Sequence, residues 1–168
     1  MKVDKQVRML SVLLGLAGIA LSSLVPGGPI ENRDFSHISP VVLLVFNIFL
    51  TALGLGSFLL VAGLMGGVRQ AWPLTLWAAV SYLVVYGIDL LGVFPQSPTA
   101  MARPLLIVEV LGIALALPML WLTATGIQNS ASAGKLSIKL RLRPRWLLLI
   151  SALAVAVVAF ATVNAMGQ

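Results

Sequence analysis

Residues 86–110 read YGIDLLGVFPQSPTAMARPLLIVEV, two apolar runs on either side of a proline-rich turn, with one acid inside each run, Asp89 and Glu109. The composition of the whole chain says what solvent those runs meet. Of 168 residues, 60% are hydrophobic and only 10% charged, and the mean hydropathy is +1.04. So little polar surface cannot cover a water-soluble globule. The runs themselves exceed the ~14 apolar residues of a soluble core helix and reach the ~20 needed to cross the ~30 Å hydrocarbon layer.

Apolar runs of this kind recur at about 9–25, 40–66, 73–94, 104–126 and 146–166. Membrane-spanning β-strands would be half as long and alternate in polarity, so helices are expected. Pro40, Pro73, Pro104 and Pro144 stand at or near four of the starts, where the missing N–H is one that a helix cannot pair in any case. Pro118 falls inside the fourth run and is expected to kink it. The first run follows a basic lead, MKVDKQVR, as in a signal peptide. No clean small-x-small cleavage site precedes Pro26, so a retained helix is expected.

The expected fold is therefore all-α: a polytopic integral membrane protein, one transmembrane domain over 1–168, with five helices in an up-down bundle. Basic residues orient it. With the N-terminus inside, nine fall on the cytoplasmic side and two, Arg33 and Arg103, on the other. That bias predicts N-in and C-out. Trp72, Trp77, Trp121 and Trp146 all fall near the cytoplasmic ends, as interfacial indoles do. A prokaryotic plasma membrane, or an equivalent energy-transducing membrane, is the expected location. The charge of +6 then needs no nucleic acid as a partner.

The absence of cysteine excludes disulfides, thiol catalysis and cysteine-based metal centres. A single histidine, His37, excludes a bis-histidine haem or a multi-histidine metal site within this chain. P-loop, GxGxxG, HExxH and GxSxG patterns are all missing, so a non-catalytic role is expected. The sequence names no cofactor. Pigment or quinone binding along a tyrosine or tryptophan stripe stays open.

Small residues mark candidate packing faces. Ser11, Gly15, Gly18 and Ser22 share one face of the first helix, and Ala52, Gly56, Gly63 and Gly67 one face of the second; Ala152, Ala156 and Ala159 form a third strip. Lipid tails supply no hydrophobic drive for association, so helices meet where small residues let backbones approach. Such faces serve the bundle itself, a homo-oligomer or other membrane subunits.

Between the fourth and fifth runs, QNSASAG (128–134) reads as a flexible linker opening the basic cytoplasmic loop 128–144. Lys139, Arg141, Arg143 and Arg145 follow in alternation with apolar residues. Their expected role is topogenic, with contact to anionic lipid headgroups; docking on an acidic partner subunit is the alternative.

Asp89 lies five residues before Phe94 and Glu109 five residues after Pro104. At 1.5 Å rise per residue both sit ~7 Å inside the outer boundary, at one level. Tyr86 and Tyr82 share a stripe with Asp89, and Asn47 and Thr162 lie in the same half. Ionisable groups in spanning helices are functional candidates by default. The expectation is one shared site, with Arg103, Tyr86 or Asn47 completing the carboxylates' hydrogen bonds. Pairing with Arg33 or Arg103, or a proton shared between the acids, are the alternatives.

Two function classes follow. The first is a small accessory or scaffold subunit of a respiratory or photosynthetic type of membrane complex. The second is a proton- or cation-coupled transporter, or a ligand-binding membrane protein, using Asp89 and Glu109. Five spans and an off-centre polar cluster argue against duplicated transporter halves around a midplane site. The outer turns VPGGPIENRDFSHISP and VFPQSPTAMARP are too faintly alike to mark a repeat.

Overall fold

The computed structural model describes residues 5–132 and 144–166. It consists of five helices: α1 (Lys5–Ser22), α2 (Pro40–Met65), α3 (Ala71–Leu90), α4 (Arg103–Ser132) and α5 (Pro144–Ala165). All five are long and apolar enough to cross a membrane. Among the described residues there is no strand.

Local chemistry sets the helix limits. Pro40 and Pro144 are the first residues of their helices and Pro104 the second of α4, positions where proline's fixed φ is already helical. Two helices end on a glycine in the left-handed region. Gly67 (φ 73°) follows α2, with Val68 N–H donating to the Gly63 carbonyl and Gly67 N–H to Leu64. Gly92 (φ 66°) closes α3 in the same way, Val93 N–H reaching Ile88 and Gly92 N–H reaching Asp89, each at 2.8 Å. This double bond pattern satisfies the last carbonyls of a helix and needs a residue without Cβ at the turn.

Hydropathy and helix do not coincide everywhere. α1 starts at Lys5, ahead of its apolar run, and stops at Ser22. α4 passes through Pro118 and continues to Ser132, so the first five residues of the expected linker are helical. Apolar length reports where lipid would lie; helical hydrogen bonding carries on into polar sequence beyond it. Lys139, Arg141 and Arg143 lie outside the described residues, and Arg145 falls in the first turn of α5.

Helices α1 to α4 form a ring in which each packs on the next and α4 closes against α1; α5 packs outside it, on α2. Leu10, Leu14, Ala17 and Leu21 present one face of α1 to the centre, at the 3–4 spacing of a helical stripe. They meet Leu53, Ala78, Ala79, Tyr82, Tyr86, Ala116, Met119 and Leu122. The outside remains apolar, with Val41, Val45, Trp77, Ile107, Trp121 and Val155 all exposed. Soluble monomers rarely display so much contiguous apolar surface.

Close approach uses glycines that the small-residue stripes do not include. A Cβ on Gly112 would collide with the Tyr86 ring, and one on Gly126 with the Trp72 indole. Within the stripes, Gly18 lies against Phe58 and Ser57 and Gly63 against Ala71, whereas a Cβ on Gly15 or Gly56 would meet nothing within 4 Å.

Candidate polar site at the loop end of the bundle

The α1–α2 and α3–α4 connections lie at one end of the bundle, and the site is built where they meet. Residues 31–35, ENRDF, have no assigned secondary structure, and their burial alternates: Glu31, Arg33 and Phe35 are buried, Asn32 and Asp34 exposed. Period-two alternation is what extended backbone imposes. Phe35 N–H donates to the Ala165 carbonyl at 3.2 Å, anchoring the segment to the end of α5, and Ser97 Oγ donates to the Asp34 carbonyl at 3.0 Å, tying the two loops together.

Arg33 is the hub. Its Nη1 and Nη2 donate to Asp89 Oδ1 and Oδ2 at 2.8 and 2.7 Å. The same guanidinium donates to Glu31, Nε to Oε1 at 3.0 Å and Nη2 to Oε2 at 2.6 Å. Glu109 Oε1 stands 4.0 Å from Nη2. A planar fork facing paired carboxylate oxygens is the geometry that arginine provides and lysine does not. Phe35 lies beneath, its ring centroid 5.2 Å from the guanidinium carbon, a cation–π contact. Burial works against the charge on Arg33, but the hydrogen bonds and charges of Asp89 and Glu31 outweigh it and hold the guanidinium protonated far above its usual range.

The Asp89 and Glu109 carboxylates thus converge on one cation, but the expected partners differ. Arg103 is exposed at the start of α4 and makes no ion pair among the described residues. It precedes Glu109 by six positions, which places the two on different faces of the helix. Asn47 donates to Thr162 Oγ1 at 3.1 Å, joining α2 to α5, and to neither acid. Tyr86 is buried beside Glu109, stacked on Tyr82 at 6.0 Å, yet its hydroxyl has no partner among the described residues. Tyr82 bonds Ser57 at 2.8 Å. His37 lies exposed in the loop.

In the sequence Arg33 is one of two alternative partners for the acids, and Glu31 has no assigned role. The signal was present in the Glu-x-Arg spacing, which puts both side chains on one face if the loop is extended.

Two features of this cluster are chemically incomplete. Three carboxylates surround one guanidinium, an excess of two negative charges if all are ionised. Glu109 Oε2 and Tyr86 Oη, on side chains about 1% exposed, are both unpaired among the described residues. Buried polar groups are nearly always bonded. They border a cavity of about 40 Å³, walled also by Phe35, Phe46 and Asn47, enough for about two water-sized molecules. Five of its residues, Leu21, Leu24, Pro26, Asn47 and Leu50, also wall a cavity of about 150 Å³ between α1, α2 and α5, whose lining carries no charged side chain. On the other side, Arg33 and Asp89 floor a polar groove of about 520 Å³ under the α3–α4 loop. Among the described residues, no group of three or more histidine, cysteine, aspartate or glutamate side chains is arranged to hold a metal ion.

No curated protein and no solved structure matches the chain. A family model does, over residues 6–137, a span that takes in α2, α3, nearly all of α1, all of α4 and every charged residue of the site, and stops short of α5. The chain belongs to the family described as domain of unknown function DUF8051.

Proposed function

We propose that the protein is a non-catalytic integral membrane protein of an energy-transducing membrane, oriented N-in, that takes up a proton or a monovalent cation at a site opening outward between its α1–α2 and α3–α4 loops. The observation behind this reading is the imbalance at Arg33: three carboxylates, Glu31 and Glu109 buried and Asp89 partly buried, for one guanidinium, with Glu109 Oε2 and Tyr86 Oη unpaired among the described residues on side chains that line a cavity. Uncompensated charge away from water is too unfavourable to persist, so a proton or a cation completes the set. Arg33 and Asp89 separate the cavity from the groove, which makes them the gate. Purified protein reconstituted in vesicles tests the reading. Uptake of protons or sodium driven by an inward gradient, lost in Glu109→Gln, is expected; uptake identical in empty vesicles would end it.

A second reading, an accessory subunit of a larger complex, draws on Gly15 and Gly56, whose surroundings are empty within 4 Å. Lipid-filled faces have no need of glycine; a tightly apposed partner helix does. Extraction in mild detergent that yields stoichiometric partner subunits would favour this reading, with Lys139, Arg141, Arg143 and Arg145 meeting anionic headgroups or an acidic partner.

A further inference from the structure

We infer that the site's cation is an organic one, a small aromatic primary amine whose ammonium binds Glu109 and Tyr86 and whose ring fills the apolar cavity between α1, α2 and α5. The inference rests on the cation reading above and deepens it.

Three observations carry it. First, Glu109 Oε2 and Tyr86 Oη, without a hydrogen-bond partner among the described residues, belong to side chains that line the small cavity and can accept two of the three donors that an ammonium offers. Second, the lining of that cavity includes three aromatic side chains, Phe35, Phe46 and Tyr86. Aromatic rings next to a carboxylate are how proteins hold ammonium groups. Third, the adjoining cavity of about 150 Å³ is lined mainly by leucine, proline, valine and alanine side chains. An apolar cavity of that size accepts a benzene ring. A neutral or anionic headgroup would leave the negative excess uncompensated or enlarge it.

The test uses full-length protein in detergent, with benzylamine as probe, benzyl alcohol as its uncharged counterpart and sodium chloride as the inorganic cation, each followed by calorimetric titration. Saturable benzylamine binding at least tenfold tighter than benzyl alcohol is expected. Glu109→Gln is expected to weaken it at least tenfold. Val157→Phe, which fills the apolar cavity from its half-exposed α5 rim, is expected to weaken benzylamine by a similar factor. Equal binding of amine and alcohol, or full amine affinity in Val157→Phe, would overturn the inference. If the amine fails to bind but proton or sodium uptake persists, the inference alone falls; loss of both takes the underlying reading with it.

Discussion

Arg33, in a loop, and Asp89, the penultimate residue of α3, are joined by two parallel hydrogen bonds of 2.8 and 2.7 Å across 56 positions of sequence. The pair welds the α1–α2 connection to the α3 end, and Glu31 holds the far edge of the same guanidinium. Removing one partner of a buried pair leaves the other charge uncompensated, which typically destabilises by about 3–5 kcal/mol. Arg33→Met should therefore lower the thermal midpoint in detergent more than Asp89→Asn, because it strands three carboxylates rather than freeing one guanidinium that Glu31 still holds. The double variant should fall short of the sum by about 1–3 kcal/mol. Strict additivity would mean that the two side chains act independently.

The Tyr86 ring occupies the space where a side chain on Gly112 would begin. Gly112→Ala should push the ring off its seat and destabilise by about 1–3 kcal/mol, the usual penalty for overpacking. Gly87 has nothing within 4 Å of a built Cβ, so Gly87→Ala should be neutral or gain up to about 1 kcal/mol from helix propensity. Melting curves of the two variants, equal within error, would contradict this placement of Tyr86.

Sequence made the helices legible because apolar length and proline position are local properties, and α2 begins at the proline that was expected to open it. Rise per residue was likewise enough to set Asp89 and Glu109 at one level, and both reach the same cation. Partner choice was not legible. Arg103 is the first residue of α4 but exposed, while Arg33 arrives along a loop whose path depends on Phe35 docking at Ala165. Asn47 looked like a ligand to the acids from depth alone; its pairing with Thr162, 115 positions away, depends on where α5 packs.

Glycine stripes divide in the fold. Gly18→Leu should disrupt the bundle, since Phe58 lies 3.2 Å from a built Cβ, and Gly63→Leu likewise against Ala71 at 3.3 Å. Gly15→Leu and Gly56→Leu should leave the monomer's melting temperature within about 0.5 kcal/mol of equivalent stability, as surface substitutions do. If these two instead dissociate a co-purifying complex, the accessory-subunit reading gains its interface; if they are silent in both measurements, it loses one.

Orientation can be tested cleanly because the chain has no cysteine. Single cysteines at Ser132 and Gln168 should react with an impermeant maleimide from opposite faces of the membrane, Ser132 from the cytoplasmic side. Labelling of both from one face would remove the N-in, C-out assignment and with it the outward opening of the site.

Glu109 and Tyr86 separate a structural latch from a binding site. Each side chain is buried and lines the same cavity, and each leaves one oxygen unpaired among the described residues. An unpaired buried hydroxyl is unfavourable by about 1–3 kcal/mol, so if nothing occupies the cavity, Tyr86→Phe should stabilise the protein. Glu109→Gln should do the same, since it removes one of the two excess charges while the guanidinium keeps Asp89 and Glu31. If a cation or a proton completes the site, the two variants should part company with stability. Both should still fold and melt at or above the parent temperature, yet Glu109→Gln should abolish gradient-driven uptake and Tyr86→Phe should reduce it several-fold. Loss of folding in both variants would instead assign these side chains to the latch alone, because a group that only binds ligand is dispensable for assembly.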